Sequence, residues 1–161
     1  MNVAKVLVPL DGSELAESAL GAAVEMARPA GGTLILIRAA QSGVRPGIDP
    51  VRAQLEVVEE AEHYLATVKG QLGKQGVREV KTAVWYGPAA SAIIEAAELN
   101  KVDLIVMSSH GRSGAGRLIF GSVAESVLRG TTVPILLLRP AGAPVERPAG
   151  SAEARPSGAP R

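Results

Sequence analysis

Short apolar runs separated by helical patterns constrain this chain more than any other feature. Val6-Leu7-Val8, Leu34-Ile35-Leu36-Ile37, Leu104-Ile105-Val106-Met107 and Ile135-Leu136-Leu137-Leu138 show no alternation of polar and apolar residues. A strand with one wet face alternates, whereas a run apolar at every position suits a parallel sheet covered by helices on both sides. Between the runs, apolar residues return at helical spacing. They are Leu15, Ala19, Ala23 and Met26, then Val51, Leu55, Val58, Leu65, Val68 and Leu72, then Ala90, Ile93, Ile94 and Ala97, and last Val123, Val127 and Leu128. Val77 to Tyr86 alternates in part and reads as a strand nearer an edge. Strands are therefore expected at Val3 to Leu10, Thr33 to Ile37, Val77 to Tyr86, Asp103 to Met107 and Pro134 to Leu138, with four helices between them. That alternation predicts an α/β fold: a three-layer, Rossmann-like α/β/α domain on a five-stranded parallel sheet. In the order 3-2-1-4-5 the first and fourth strands are neighbours, and ligands of open α/β sheets bind where the order reverses.

The punctuation fits. Ser13 is placed as an N-cap, and Glu14 and Glu17 suit the positive end of the first helix. Pro29 with Gly31-Gly32 ends that helix. Gln41 to Pro50 holds two glycines and two prolines and reads as a loop. From Pro140 onward Pro, Ala, Gly, Arg and Glu dominate, so residues 1–140 are expected to form one domain and 141–161 a disordered tail.

After the fourth strand comes a glycine-rich loop, Ser108-Ser109-His110-Gly111 through Phe120-Gly121-Ser122, and then a helical pattern. Strand, glycine loop and helix together present backbone amides and a positive helix end to an anion, with Ser122 read as the N-cap. Arg112 and Arg117 add positive charge to the loop. Gly111 and Gly116 have P-loop spacing, but Arg117-Leu118 stands where Lys and Ser/Thr belong, so there is no hydroxyl for magnesium and no Walker A site. The dinucleotide pattern G-x-G-x-x-G fails at Ile119. His110 reads as a loop-shaping residue, and His63 as a residue of a helix surface or its packing.

Composition removes several classes. The 161 residues include no cysteine, which excludes disulfides, thiolate catalysis and Cys-based zinc sites. Aromatics are 2%, too few for stacking platforms on single-stranded nucleic acid, and a net charge of +1 suits neither a general nucleic-acid binder nor a membrane binder. The N-terminus lacks the pattern of a signal peptide, and no run approaches membrane-spanning length, so a cytoplasmic protein is expected. A receiver domain is disfavoured because no Asp ends the third strand. Flavin binding is disfavoured because Trp85 is the single tryptophan.

At Val6-Leu7-Val8-Pro9-Leu10-Asp11-Gly12-Ser13 the chain resembles the universal stress protein family. The likeness continues through Ser108-Ser109-His110-Gly111, nine residues, and Gly121-Ser122-Val123-Ala124, and ends at Val133-Pro134-Ile135-Leu136-Leu137. The second of these matches the nucleotide signature G-x2-G-x9-G-[S/T], except that Ser108 stands where the signature has its first glycine. That serine adds a side chain where backbone lies against ribose or phosphate, unless it turns away or donates to the sugar. The resemblance implies an adenine nucleotide alpha hydrolase-like fold that binds ATP, with or without magnesium, and a homodimer formed through Pro134 to Leu138. It also implies roles. Asp11 accepts from a ribose hydroxyl; Pro9, Ala39 and Met107 line the adenine pocket; and Gly111, Gly121, Ser122 and Val123 hold phosphates through their amides. Ser108 and Arg112 complete the expected site, with no catalytic residue and no protein metal ligand. The plainer reading of Asp11 is a turn or helix-capping carboxylate. Three functions remain open at this point: an ATP-binding regulator in stress response, a slow ATP hydrolase, and a dimeric scaffold that binds no nucleotide.

Overall fold

The computed structural model describes residues 3–41, 43, 47, 49–73, 75, 77, 79–110 and 121–139. Five strands alternate with helices: β1 (Lys5–Pro9), α1 (Glu14–Glu17), α2 (Leu20–Ala27), a 3₁₀ turn (Arg28–Ala30), β2 (Thr33–Ala40), α3 (Pro50–Gly73), β3 (Glu79–Tyr86), α4 (Ala89–Asn100), β4 (Leu104–Ser108), α5 (Ser122–Gly130) and β5 (Ile135–Leu138). The sheet order is β3-β2-β1-β4-β5 and every pairing is parallel. The apolar runs behave as their lack of alternation predicts. Val6 and Val8 of β1, Leu34 and Leu36 of β2, and Leu104 and Val106 of β4 face the layer formed by α1, α2 and α3. Leu7, Ile35, Ile37, Ile105 and Met107 face the layer formed by α4 and α5.

Three helical expectations need correction. The first helix is two, because the turn at Ser18 tightens: the Ala19 amide bonds the Ala16 carbonyl three residues back, and Ser18 Oγ bonds the Leu15 carbonyl. Its buried stripe is Ala16, Ala19, Ala23, Val24 and Ala27, while Met26 lies at the flank, 41% exposed. Small residues let this helix sit close on the sheet. On α3, only Ala61, Leu65, Val68 and Leu72 are buried, and Val51 and Leu55 face solvent. The 24-residue helix is ~36 Å long at 1.5 Å per residue, whereas an eight-residue strand such as β2 spans only ~26 Å. The first turns of α3 overshoot the sheet. Finally, Gly121 rather than Ser122 is the N-cap of α5, with extended dihedrals, and Ser122 is the first helical residue.

One glycine is fixed by packing. A Cβ on Gly32 would lie 2.7 Å from the Ala4 carbonyl oxygen and 3.1 Å from that of Ala27, both backbone atoms. The same junction is hydrogen-bonded by Thr33 N to Ala4 O and Gly32 N to Ala27 O. Gly32→Ala is therefore expected to destabilise the fold by about 2–3 kcal/mol, the usual scale of overpacking. Urea titration checks this as a lower midpoint with an unchanged slope.

Among the described residues, no helix is long and apolar enough to cross a membrane. The proposed tail, 141–161, lies outside the described residues.

Candidate functional site

β1 and β4 lie side by side, and the chain leaves them toward opposite faces of the sheet. The opening between their C-terminal ends is a crevice of about 250 Å³. Eight of the ten residues singled out from the sequence line it: Pro9, Asp11, Ala39, Met107, Ser108, Gly121, Ser122 and Val123. The other two, Gly111 and Arg112, lie outside the described residues, as does Arg117.

The crevice has an apolar side and a polar rim. Ile37 and Ala39 come from one face of β2, Met107 from β4, and Ala89 and Ile93 from the start of α4. Ile37 could have been found from the sequence, because it shares a strand face with Ala39 two residues on. Ala89 and Ile93 carry no local signal, since their place depends on how α4 crosses the sheet. The rim has two parts. One is the turn after β1. There Asp11 Oδ1 accepts from the Ser13 amide at 2.9 Å and from Ser13 Oγ at 2.6 Å, and Ser13 Oγ in turn accepts from the Ala16 amide at 3.2 Å. Ser13 is thus the N-cap the sequence suggests, and Asp11 braces it; the capping role and a place on the crevice coexist in one carboxylate. Gly12 bends the turn at φ +84°, a conformation that L side chains rarely adopt.

The second part is the N-terminus of α5. Gly121 N bonds Ser109 O at 2.8 Å, and the first intrahelical bond runs from Glu125 N to Gly121 O. The amides of Ser122, Val123 and Ala124 therefore have no acceptor within the helix. These three residues line the crevice, so N–H groups with no acceptor among the described residues and the positive end of the helix lie at it. A Cβ on Gly121 would come within 3.2 Å of the Ser109 carbonyl. The missing side chain is what lets the cap close against the strand end.

Ser108 stays at the end of β4, 7% exposed, and its Oγ accepts from the His110 amide at 3.3 Å. Its hydroxyl is turned into its own loop. His110 is buried, with Nδ1 2.9 Å from Ser109 Oγ; the loop that it is expected to shape lies outside the described residues. His63 is exposed on α3.

Sequence reasoning passed over Arg38. This residue of β2 is 7% exposed, beneath the Asp11 turn. Its Nη2 pairs with Glu60 Oε1 at 2.9 Å, and its guanidinium carbon lies 5.1 Å from the Tyr64 ring centroid. The Tyr64 hydroxyl donates to Glu17 Oε1 at 2.8 Å. Burial first, then the hydrogen bond and charge of Glu17, hold that hydroxyl well above the usual phenol range, so it remains a donor.

Residues 2–139 match the model of the universal stress protein family. Universal stress protein MJ0531 of Methanocaldococcus jannaschii is 31% identical over 140 residues, 84% of this chain and 81% of that protein. The structure of hypothetical protein MJ0577, from the same organism, superimposes with a TM-score of 0.77 at 27% identity, over 89% of this chain and all of that one. A universal stress protein family protein from Arabidopsis thaliana, solved with AMP bound, shares the fold with a TM-score of 0.61 at 13% identity, over 84% of this chain and 91% of that one. The crevice at the strand switch, the signature loop and the match along nearly the whole of the domain lead to one conclusion: the chain belongs to the universal stress protein family.

Proposed function

We propose that the crevice binds an adenine nucleotide, ATP foremost, and that the chain is a nucleotide-binding regulatory module of a stress response. One observation carries the reading. The Asp11 turn and the first amides of α5, which have no acceptor within the helix, are 111 residues apart at Asp11 and Ser122 and border the same crevice. A carboxylate suits ribose hydroxyls, and helix-end amides suit phosphate. The apolar side, with Pro9, Ala39 and Met107, suits a purine. The AMP held by the Arabidopsis relative supports the same ligand class.

Regulation is favoured over efficient hydrolysis by the donor set. Asp11 is the one carboxylate among the described lining residues, and Ser13 holds its Oδ1. Among the described residues no group of three or more His, Cys, Asp or Glu is placed to bind a metal. Magnesium would be held by phosphates and water, and the chain's own part is to bind and orient. The homodimer belongs to the same proposal. All four residues of β5 are half-buried at the sheet edge, and pairing with a second copy would cover them. Light scattering at two concentrations tests that part.

The test of binding is to denature freshly purified protein, identify any released nucleotide by chromatography, and titrate the emptied protein with ATP, ADP and AMP by calorimetry. Asp11→Asn keeps an acceptor for Ser13 and removes the charge. It is expected to weaken binding about tenfold, the worth of a charge-assisted bond exchanged for a neutral one. A chain that releases no nucleotide and gives no heat with any of the three is a scaffold.

A further inference from the structure

We propose that Arg38 is the positioning residue of the nucleotide turn: its guanidinium is the floor on which Asp11-Gly12-Ser13 is laid, and α3 holds that floor in place. The inference rests on the reading of Asp11 as a nucleotide contact. A buried guanidinium is costly unless it is paired and stacked, so its neighbours define its task.

Those neighbours come from three elements. A Cβ on Gly12 would sit 3.6 Å from both Arg38 Cζ and Nη1 and 3.7 Å from Nη2. Near-equal distances to three coplanar atoms put the flat face of the group against the turn. The φ of +84° that wraps over it is one that glycine adopts without strain and other residues rarely take. Glu60 takes Nη2, and Tyr64, one helical turn later on α3, presents its ring. The Tyr64 hydroxyl then reaches Glu17 on α1, the helix that Ser13 caps. The set closes on itself: turn on guanidinium, guanidinium on α3, α3 on α1, α1 on turn. Arg38 also places a fixed positive charge against Gly12, the residue after Asp11, and it is not among the residues that line the crevice. A planar group is needed here. A lysine would keep the charge but lose both the flat contact and the fork.

The consequence is that affinity for the nucleotide depends on Arg38 through Asp11. The variants are Arg38→Met and Arg38→Lys, each made in the parent chain and in Asp11→Asn, with ATP titration by calorimetry. Amide exchange at Ser13 and Ala16 is read in the nucleotide-free protein, with Ala97 on α4 as the internal reference. Arg38→Met is expected to weaken ATP binding about tenfold or more in the parent and about threefold or less in Asp11→Asn, the non-additivity of groups that act together. It is also expected to speed exchange at Ser13 and Ala16 about tenfold relative to Ala97. Arg38→Lys should fall between. Equal losses in both backgrounds, or unchanged exchange at Ser13, overturn the proposal. If the parent binds no nucleotide, the functional reading has failed, and the exchange arm still decides whether Arg38 sets the turn. If Arg38→Met does not fold, Tyr64→Phe, which removes only the hydroxyl bond to Glu17, is compared with Tyr64→Leu, which removes the ring beneath the guanidinium as well. Tyr64→Leu must speed Ser13 exchange beyond Tyr64→Phe, and equal exchange in the two overturns the proposal equally.

Discussion

Gly121→Val is expected to abolish detectable ATP binding while leaving a folded protein. The Cβ would meet the Ser109 carbonyl oxygen at 3.2 Å. That carbonyl accepts the Gly121 amide at 2.8 Å, so it cannot retreat without breaking the bond that seats the cap. Two further methyl groups then add bulk at a residue that lines the crevice next to Ser122 and Val123, and relieving the contact at Ser109 and His110 shifts the start of α5 that carries those amides. Phosphate approaches such amides only where backbone is bare. The cost to the fold is smaller. Gly121 has φ −65° and ψ 149°, open to any residue, so the penalty is that of a poor N-cap plus local crowding, about 1–2 kcal/mol. For a domain of this size that is roughly a 3–7 °C drop in melting temperature. Calorimetry against ATP and a thermal scan on the same sample separate the two effects. Binding within threefold of the parent would show that phosphate does not lie on these amides. Trp85 offers a second readout, because it stands opposite Ala39 in the β2–β3 register.

How far the sequence carries depends on what kind of information each residue holds. β1 and β4 were readable because a run such as Leu104-Ile105-Val106-Met107 leaves no face for water, and all four are buried. Asp11 and Gly121 were singled out by the resemblance of the segments around them to the family's Asp turn and glycine signature, and both line the crevice. Val51 and Leu55 misled because periodicity reports which face of a helix is apolar, not how far the partner sheet extends beneath it. Ser122 was displaced by one position because its hydroxyl makes it the better cap by residue type, whereas the crowding at the Ser109 carbonyl puts a glycine there. Arg38 left a signal that was passed over. A single charge in the otherwise apolar run from Leu34 to Ala40 must find partners. Glu60 and Tyr64, four apart on one helix face, are such a pair. What the sequence could not supply is that the three meet beneath Gly12, since that follows from the packing of α3 on β2.

The second large effect joins stability to ligand. Leu36→Ala is expected to cost about 3 kcal/mol, within the range for removing a fully enclosed leucine. Leu36 has no exposed surface, lies in β2 between β1 and β3, and packs toward α3 two residues before Arg38. Surrounding side chains from two helices and the sheet cannot collapse into the space, so the cavity persists. The melting temperature should fall by roughly 10 °C, taking about 0.3 kcal/mol per degree for a domain of this length. Leu36 does not line the crevice, so the folded variant retains its site. A ligand that binds only the native state then restores stability by mass action, about 2.7 kcal/mol at one hundred times its Kd. Saturating ATP should therefore bring the variant back to within a few degrees of the ligand-free parent and raise the parent by a similar amount. Equal upward shifts in both proteins would tie the crevice to the folded domain as a whole. A parent shift without a variant shift would mean that the cavity reaches the site through Arg38 and the turn above it.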